Sequence, residues 1–169
     1  MISEKMQMAF NDQINKELYS AYFYLSMSAY LSSQNLKGMA NWMIVQTQEE
    51  LAHAMAIYNY VLNRGGHVKL GEIASPPSTF ASVIDVFEST YEHEKYVSSL
   101  INKLADYADE ENDRPSASFL KWYIDEQVEE EANTSEILEK VKFISSQPGA
   151  LFILDREMGL RTFVPPIIG

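Results

Sequence analysis

Apolar residues recur every three to four positions along most of the chain, which is the spacing of a helix that buries one face. The pattern predicts four long helices and a short fifth one, over about residues 3–33, 38–63, 80–110, 115–145 and 150–160. A helix of about 28 residues spans roughly 42 Å at about 1.5 Å per residue. Four helices of this similar length predict an all-α four-helix bundle.

The lengths of the connections predict how these helices run. The first and third links are short, so each should join two antiparallel helices. The second link, residues 65–79, is rich in Gly, Pro and Ser, and at about 3.3 Å per residue it can run the length of a helix. The second and third helices can therefore be parallel, which gives an up-down-down-up bundle with one long crossover. The tail, with Pro165-Pro166, is expected to be frayed or docked on a neighbouring subunit.

Composition narrows the class of protein further. The 169 residues suit a single domain, 1–169, and the lack of cysteine excludes disulfides, thiolate metal sites and cysteine nucleophiles. The net charge of −11 argues against nucleic acid and anionic membranes as partners. It fits attraction of cations, but charge alone favours the simpler interpretation of a solvated acidic surface. There is neither a signal-peptide pattern nor an apolar run of the ~20 residues that a membrane helix needs. A cytoplasmic protein is therefore expected.

Four carboxylates occupy positions where a bundle should place leucines. Glu17, Glu50, Glu94 and Glu130 each lie within the apolar stripe of a different long helix. Burying an ionised carboxylate costs several kcal/mol unless a positive charge lies beside it. None of the four stripes carries a lysine or arginine, so the pattern predicts bound cations, and metal ions are the natural candidates.

The spacing of these ligands favours a site for two metal ions. Glu50 and His53 form an E-x-x-H pair on one helical face. Di-iron carboxylate bundles use one Glu from each of two helices and E-x-x-H from each of the other two. Here the fourth helix offers Gln127-x-x-Glu130 instead, so the second position has no histidine. Oxygen ligands with one imidazole suit iron, manganese or zinc, and weaker binding at the second position suits an ion that must leave.

Four motifs carry a resemblance to a known family. They are NDQINKELYSAY at 11–22, QEELAH at 48–53, YEHE at 91–94 and FLKWYIDEQVEEE at 119–131. In these motifs, and over residues 3–160 as a whole, the chain resembles a ferritin of the bacterial and archaeal non-haem type.

The resemblance implies a set of site residues. Glu17, Glu50 and His53 would hold a first iron, while Glu50, Glu94 and Glu130 would hold a second, with Gln127 nearby. A third, transit position would use Glu49, Glu126, Glu129 and Glu130. Tyr24 and Trp122 match aromatic residues beside such centres, although plain core packing explains both, and Trp122 especially.

The resemblance also implies an activity and an assembly. Two Fe(II) ions would be oxidised within each bundle by O₂ or peroxide, and ferric mineral would be deposited inside a shell of twenty-four subunits. Bacterioferritins have a second histidine on the fourth helix and a haem-ligand methionine; here Glu130 and Leu51 stand at those positions, so haem is not expected. Rubrerythrins add a cysteine-rich module that this chain lacks.

Three alternatives remain open from the residues alone. The bundle could be a di-iron oxidase of an organic substrate, a metal buffer without turnover, or a metal-free bundle with protonated buried acids. His67 and His93 are interpreted as structural or surface residues. The acidic residues of the third turn could be a solvated loop or part of an acidic iron pore; they are Asp109, Glu110, Glu111 and Asp113.

Overall fold

The computed structural model describes residues 1–168, which form five helices connected by loops. The helices are α1 (Glu4–Ser33), α2 (Lys37–Asn63), α3 (Val83–Glu110), α4 (Arg114–Ile144) and α5 (Pro148–Met158). Within residues 1–168, none of them is both long and apolar enough to cross a membrane.

The helix ends follow from capping residues. Ser3, expected as the N-cap of the first helix, accepts a hydrogen bond from the Met6 backbone N–H, as an N-cap side chain does. α3 begins at Val83 rather than near residue 80, because the Ser82 side chain accepts from the Asp85 N–H and so fixes the first turn there. The periodic pattern alone does not locate that cap.

Contacts between helices confirm the predicted topology. Ser28 near the end of α1 donates to the Ala40 carbonyl near the start of α2, so these helices are antiparallel. Lys142 near the end of α4 lies 3.2 Å from Glu88 near the start of α3, so this pair is antiparallel too. α1 also runs antiparallel to α3, because the Lys5 ammonium at the start of α1 contacts Glu110 at the end of α3. α2 and α3 are therefore parallel, as an up-down-down-up bundle requires.

The crossover, residues 64–82, runs along the outside of α1. Asn11, Asn15 and Ser26 donate to backbone carbonyls within residues 67–77 at 3.1, 3.0 and 2.5 Å. Polar side chains on the outer face of α1 thus satisfy backbone groups of a segment that has no helix or strand of its own. The loop spans the bundle as its length predicts.

Two apolar clusters fill the two ends of the bundle. One cluster joins the end of α1, the starts of α2 and α3 and the end of α4, and it includes Met27, Leu31, Met43, Phe87 and Leu138. The other lies at the opposite end and includes Phe10, Ile57, Ile101, Phe119 and Leu120. The inward carboxylates lie between the two clusters along the chain, so apolar layers shield them from both ends.

The short helix α5 packs on the start of α2 through a buried carboxylate. The Asp155 side chain accepts a hydrogen bond of 2.8 Å from the Met39 backbone N–H. This satisfies one of the donors that a helix N-terminus leaves free, and it places negative charge at the positive end of α2. Gly38 lies directly against the backbone of α5 at this point.

We expect Gly38→Ala to loosen this contact. A Cβ at position 38 would overlap the Asp155 carbonyl oxygen, which is backbone and cannot rotate away. Overpacking of this kind typically costs about 1–3 kcal/mol. Thermal unfolding should show a lower Tm, and tryptic cleavage after Arg156 or Arg161 should be faster. Gly149, whose added Cβ would meet nothing within 4 Å, is the matched control. A Gly38→Ala protein as stable as the Gly149→Ala protein would contradict the tight contact.

Candidate metal centre

One compact group of ligands lies at the middle of the bundle. Glu17 from α1 and Glu50 and His53 from α2 each offer a ligand atom, and these atoms all lie within 4.8 Å of one another. Within residues 1–168, no other group of three His, Asp or Glu side chains meets this closely. All three side chains are buried, and the His53 Nδ1 atom lies 3.7 Å from the Glu50 Oε2 atom.

Two atoms of this group have no hydrogen-bond partner among the described residues. They are Glu50 Oε2 and His53 Nε2, and both are fully buried. A buried polar atom without a partner costs about 1–3 kcal/mol, so such atoms are rare in native proteins. A cation bound between Glu17, Glu50 and His53 would satisfy Glu50 Oε2. A second cation, on the side of the imidazole that faces Glu126, would satisfy His53 Nε2. The donor set therefore fits a metal ion.

His53 is held in place by the fourth helix. The Tyr123 hydroxyl donates a hydrogen bond of 2.8 Å to the His53 backbone carbonyl. The Trp122 ring packs edge-on against the His53 imidazole, with the ring centroids 5.3 Å apart. These contacts restrict the imidazole, as supporting residues do around metal-binding histidines. Trp122 is therefore beside the predicted ligands while it also packs in the core.

The ligands predicted for a second position are buried but engaged by neutral donors. Glu94 accepts hydrogen bonds from the Tyr24 hydroxyl and from the Gln127 amide, the latter at 3.1 Å. Glu130 accepts one of 3.2 Å from the Gln46 amide. Glu94 and Glu130 are not part of the compact group formed by Glu17, Glu50 and His53. All the donors are uncharged, so a cation that enters can take over the carboxylate oxygens without an ion pair being broken.

Burial raises the pKa values of the inward carboxyl groups. Burial and the nearby Glu50 charge raise the pKa of Glu17 well above its ordinary value. Burial raises the pKa of Glu50 well above its ordinary value too, and the charges of Glu94 and Glu130 add to that rise. The pKa of Glu94 is raised by burial, and burial raises that of Glu130 to about 8. Without a cation these groups tend to hold protons, which a bound metal would displace.

Three of the four acidic residues predicted for a third position line a recess beside His53, whereas the buried Glu130 does not. Glu49, Glu126 and Glu129 surround a volume of about 290 Å³ together with His53 and Trp122. The His53 Nε2 atom lies 4.0 Å from the Glu126 Oε1 atom. Glu49 and Glu126 are partly buried and Glu129 is exposed, so this position is open to solvent in a way that the inner positions are not.

One residue of the recess, Glu49, is paired with a cation that the sequence analysis did not identify. The Arg161 guanidinium forms an ion pair of 2.6 Å with Glu49, and it donates to the Gln46 side chain as well. Sequence analysis found no cation on the inward stripes, and that remains true of the helices, but the tail supplies one. The expectation of a frayed tail is wrong for Arg161 and Ile168, because Arg161 binds Asn41 and Glu49 of α2 and Ile168 packs against the apolar cluster that includes Phe119. Docking of the tail on a neighbouring subunit stays a prediction.

The buried inner layer also includes Gln13, which donates 2.8 Å to Glu17. Its spacing of four residues from Glu17 is a signal that the sequence does contain. No comparable signal identifies Gln46 or Arg161, because their partners lie on other segments of the chain. The inner ligands thus have neutral amides or hydroxyls as neighbours: Gln13, Tyr24, Gln46 and Gln127.

His93 lies outside the centre, as expected of a structural histidine. Its Nε2 atom lies 2.8 Å from the Ser20 hydroxyl, and its ring packs against Phe23 and Tyr24. Burial lowers the pKa of His93 to about 4, so the ring is neutral at ordinary pH. His67 lies in the crossover, where its backbone carbonyl accepts from Asn11.

One member of the acidic third turn has a structural role. Asp113 caps α4 by accepting from the Ser116 N–H, and it forms an ion pair of 3.1 Å with Arg64 at the end of α2. Burial opposes ionisation of Asp113, but the Ser116 hydroxyl and Arg64 outweigh it and lower the pKa of Asp113. Asp113 therefore stabilises the bundle end.

The chain is similar to ferritins along nearly its whole length. A family model described as a ferritin-like domain matches residues 7–144. A bacterial non-heme ferritin of Bacteroides fragilis (strain 638R) is 41% identical over 161 residues, which cover 95% of this chain and 100% of the relative. A bacterial non-heme ferritin of Staphylococcus aureus (strain MRSA252) is 35% identical over 163 residues, or 96% of this chain and 98% of that protein.

Solved structures agree with the sequence comparisons. An Archaeoglobus fulgidus ferritin engineered into a closed form superimposes with a TM-score of 0.96 at 50% identity, covering 97% of this chain and 100% of that one. The open-pore ferritin of the same archaeon superimposes with a TM-score of 0.95 at 50% identity, covering 96% of this chain and 100% of that one. Similarity of this extent covers every helix that contributes a residue to the centre.

Proposed function

The chain belongs to the ferritin-like domain family, and from that premise we propose that it is an iron-storage protein that oxidises Fe(II) to Fe(III). The observation that supports this most directly is the buried group of Glu17, Glu50 and His53 with its two unpartnered ligand atoms. In this proposal residues 1–169 act as one domain, located in the cytoplasm. Iron is the substrate, and no haem takes part.

Each inward side chain has a distinct role in the proposal. Glu17, Glu50 and His53 bind the first Fe(II), and Glu50, Glu94 and Glu130 bind the second, so that Glu50 bridges the two ions. The position of Glu50 supports the bridge, because its pKa is affected by Glu94 and Glu130 although it lies beside Glu17. Carboxylate oxygens are hard ligands and favour Fe(III) over Fe(II), which promotes oxidation.

Neutral neighbours prepare the second position. Tyr24 and Gln127 donate to the two oxygens of Glu94 and orient its carboxylate before iron enters. Burial and the charge of Glu94 raise the pKa of Tyr24 well above its ordinary value, so its hydroxyl stays protonated and can keep donating. Tyr24 and Gln127 thus act on the site by positioning a ligand.

The redox step balances with either oxidant. Two Fe(II) ions give up two electrons, which with two protons reduce O₂ to hydrogen peroxide. With peroxide as oxidant, the same two electrons and two protons yield two waters. Protons displaced from the buried carboxyl groups by incoming iron are a local source of acid. The Fe(III) product then leaves through the third position at Glu49, Glu126, Glu129 and Glu130 towards the mineral.

The storage role requires a hollow assembly, which we propose to be a shell of twenty-four subunits. The family relationship supports this, and so does the apolar surface of α5, where Phe152 and Ile153 are exposed in the isolated chain. Twenty-four chains of 19.3 kDa would form a particle of roughly 460 kDa.

A combined binding and mass measurement tests the proposal. Anaerobic titration should show about two or more tightly bound Fe(II) per chain, as the two inner ligand sets imply. After air is admitted, iron should be oxidised faster than in buffer and should remain with a large soluble particle in mass photometry. A metal buffer would bind iron without faster oxidation, and a metal-free bundle would bind none; either result would refute the ferroxidase proposal.

A further inference from the structure

Arg161, just after α5, is fixed against α2 by three kinds of contact. Its backbone carbonyl accepts a hydrogen bond of 2.9 Å from the Asn41 amide. Its guanidinium lies over the Trp42 ring, 4.6 Å from the centroid. One nitrogen of the guanidinium pairs with Glu49 at 2.6 Å, and another donates to Gln46. A side chain held in this way is part of the site rather than a mobile surface cation.

The guanidinium dictates the orientation of Gln46. A guanidinium has donors and no acceptor, so Gln46 must present its carbonyl oxygen to Arg161. The amide nitrogen of Gln46 is then free to donate to the Glu130 carboxylate, as it does at 3.2 Å. We call the proposed third position, at Glu49, Glu126, Glu129 and Glu130, the outer position. Arg161 therefore connects Glu49 of the outer position with Glu130, which is also a proposed ligand of the second inner position.

The chain after Arg161 returns to the recess beside His53. Residues 164–167 line this recess together with Glu49, Glu126 and Glu129, and they bring no charged side chain. Pro165, Pro166 and Ile168 also line a second recess with Met55 and Phe119, and Ile168 packs against the apolar cluster that includes Phe119. We call residues 161–168 the strap.

We propose that Arg161 serves as an internal counter-cation at the outer position and that a metal ion entering or leaving there must displace it together with the strap. The inference rests on the proposed function, since it concerns the outward route of the iron. Arg161 lies on Glu49, where a cation would bind, so the guanidinium and the ion compete for one carboxylate. Displacement of Arg161 also frees the Gln46 side chain, whose amide donates to Glu130. Binding of an ion at the outer position is thereby linked to the orientation of the Glu130 carboxylate.

Variants with and without the positive charge at position 161 test whether Arg161 competes with a metal ion for Glu49. In anaerobic Fe(II) calorimetry, Arg161→Gln should bind the outer ion about tenfold more tightly, or about 1.4 kcal/mol, while the two inner ions bind as before. Arg161→Lys keeps the charge and should restore the parent affinity at least in part. Arg156→Gln removes the same charge from an exposed position of α5 and should leave all affinities unchanged. An outer ion bound equally or more weakly by Arg161→Gln would overturn the proposal.

A second measurement follows the strap itself in the parent protein. With Zn(II), which is not oxidised, the rate of tryptic cleavage after Arg161 should be unchanged at two ions per chain. The rate should rise several-fold once the outer position fills, because Arg161 and the residues after it then leave their contacts on α2. A cleavage rate that stays constant or falls on filling would overturn the displacement.

These experiments also separate the inference from the function. If the inner ions bind and iron is oxidised but Arg161→Gln leaves the outer affinity unchanged, only the counter-cation role fails. If the parent binds no inner ions, the proposed function fails, and Zn(II)-induced release of the strap still decides whether Arg161 competes with a cation at Glu49.

Discussion

Replacing Glu50 by alanine is expected to abolish fast Fe(II) oxidation, with a fall in initial rate of about 100-fold or more, equivalent to about 2.7 kcal/mol. Glu50 is a ligand of both proposed inner positions, so its removal takes a ligand from each ion and the bridge between them. Glu50 lies close to Glu17 and His53, and its buried Oε2 atom has no hydrogen-bond partner among the described residues, so it is available to a cation. Stopped-flow absorbance with two Fe(II) per chain measures the effect.

Matched variants separate a lost ligand from a damaged fold. Glu50→Gln keeps the volume and the polar atoms but loses the negative charge, and it should be nearly as slow as Glu50→Ala. Glu92→Ala removes an exposed glutamate from α3, two residues before Glu94, and should oxidise iron like the parent. The variants should remain folded, because removing a buried acid relieves desolvation. A Glu50→Ala protein that oxidises iron at the parent rate would refute the assignment of Glu50.

The bundle could be predicted because its determinants are local. Four apolar stripes of similar length define the helices, and the composition of residues 65–79 defines the crossover. What the pattern leaves open is the first turn of α3, which depends on the Ser82 cap. Helix ends are set by single hydrogen bonds, whereas helix existence is set by many residues at once.

The inner ligands could be predicted for a different reason. A glutamate in an apolar stripe conflicts with its surroundings, and such conflicts mark functional positions. Glu17, Glu50, Glu94 and Glu130 are all buried in the structure, as that conflict implies. Their ability to bind iron remains a proposal.

Arg161 could not be predicted because no local pattern marks it. Its partners Gln46 and Glu49 lie more than a hundred residues earlier, and only the docking of α5 on α2 brings them together. The tail sequence looks like an unstructured end, with two prolines and few polar contacts to expect. A long-range contact of this kind depends on the tertiary fold, which periodicity does not encode.

The metal-free protein is expected to lose stability as pH rises from about 5 to about 9. Burial raises the pKa of Glu130 to about 8, while an unfolded glutamate titrates near 4.3. Between these values the folded state binds more protons than the unfolded state, so the free energy of unfolding falls as pH rises. The stability is complete below the unfolded pKa and is lost by the time pH passes the folded one. Glu17, Glu50 and Glu94 shift in the same direction.

The loss should be on the order of several kcal/mol, since each pKa unit corresponds to about 1.4 kcal/mol. Differential scanning calorimetry of chelator-treated protein at a series of pH values measures it as a falling Tm. Glu130→Gln should flatten the slope, because an amide does not ionise, whereas Glu136→Gln, which removes an exposed glutamate of α4, should not. Zn(II) should raise Tm most at high pH, where the ion competes with the fewest protons. A metal-free Tm that rises over this range would mean that the inward carboxylates are solvated, and the electrostatic case for a cation site would fall with it.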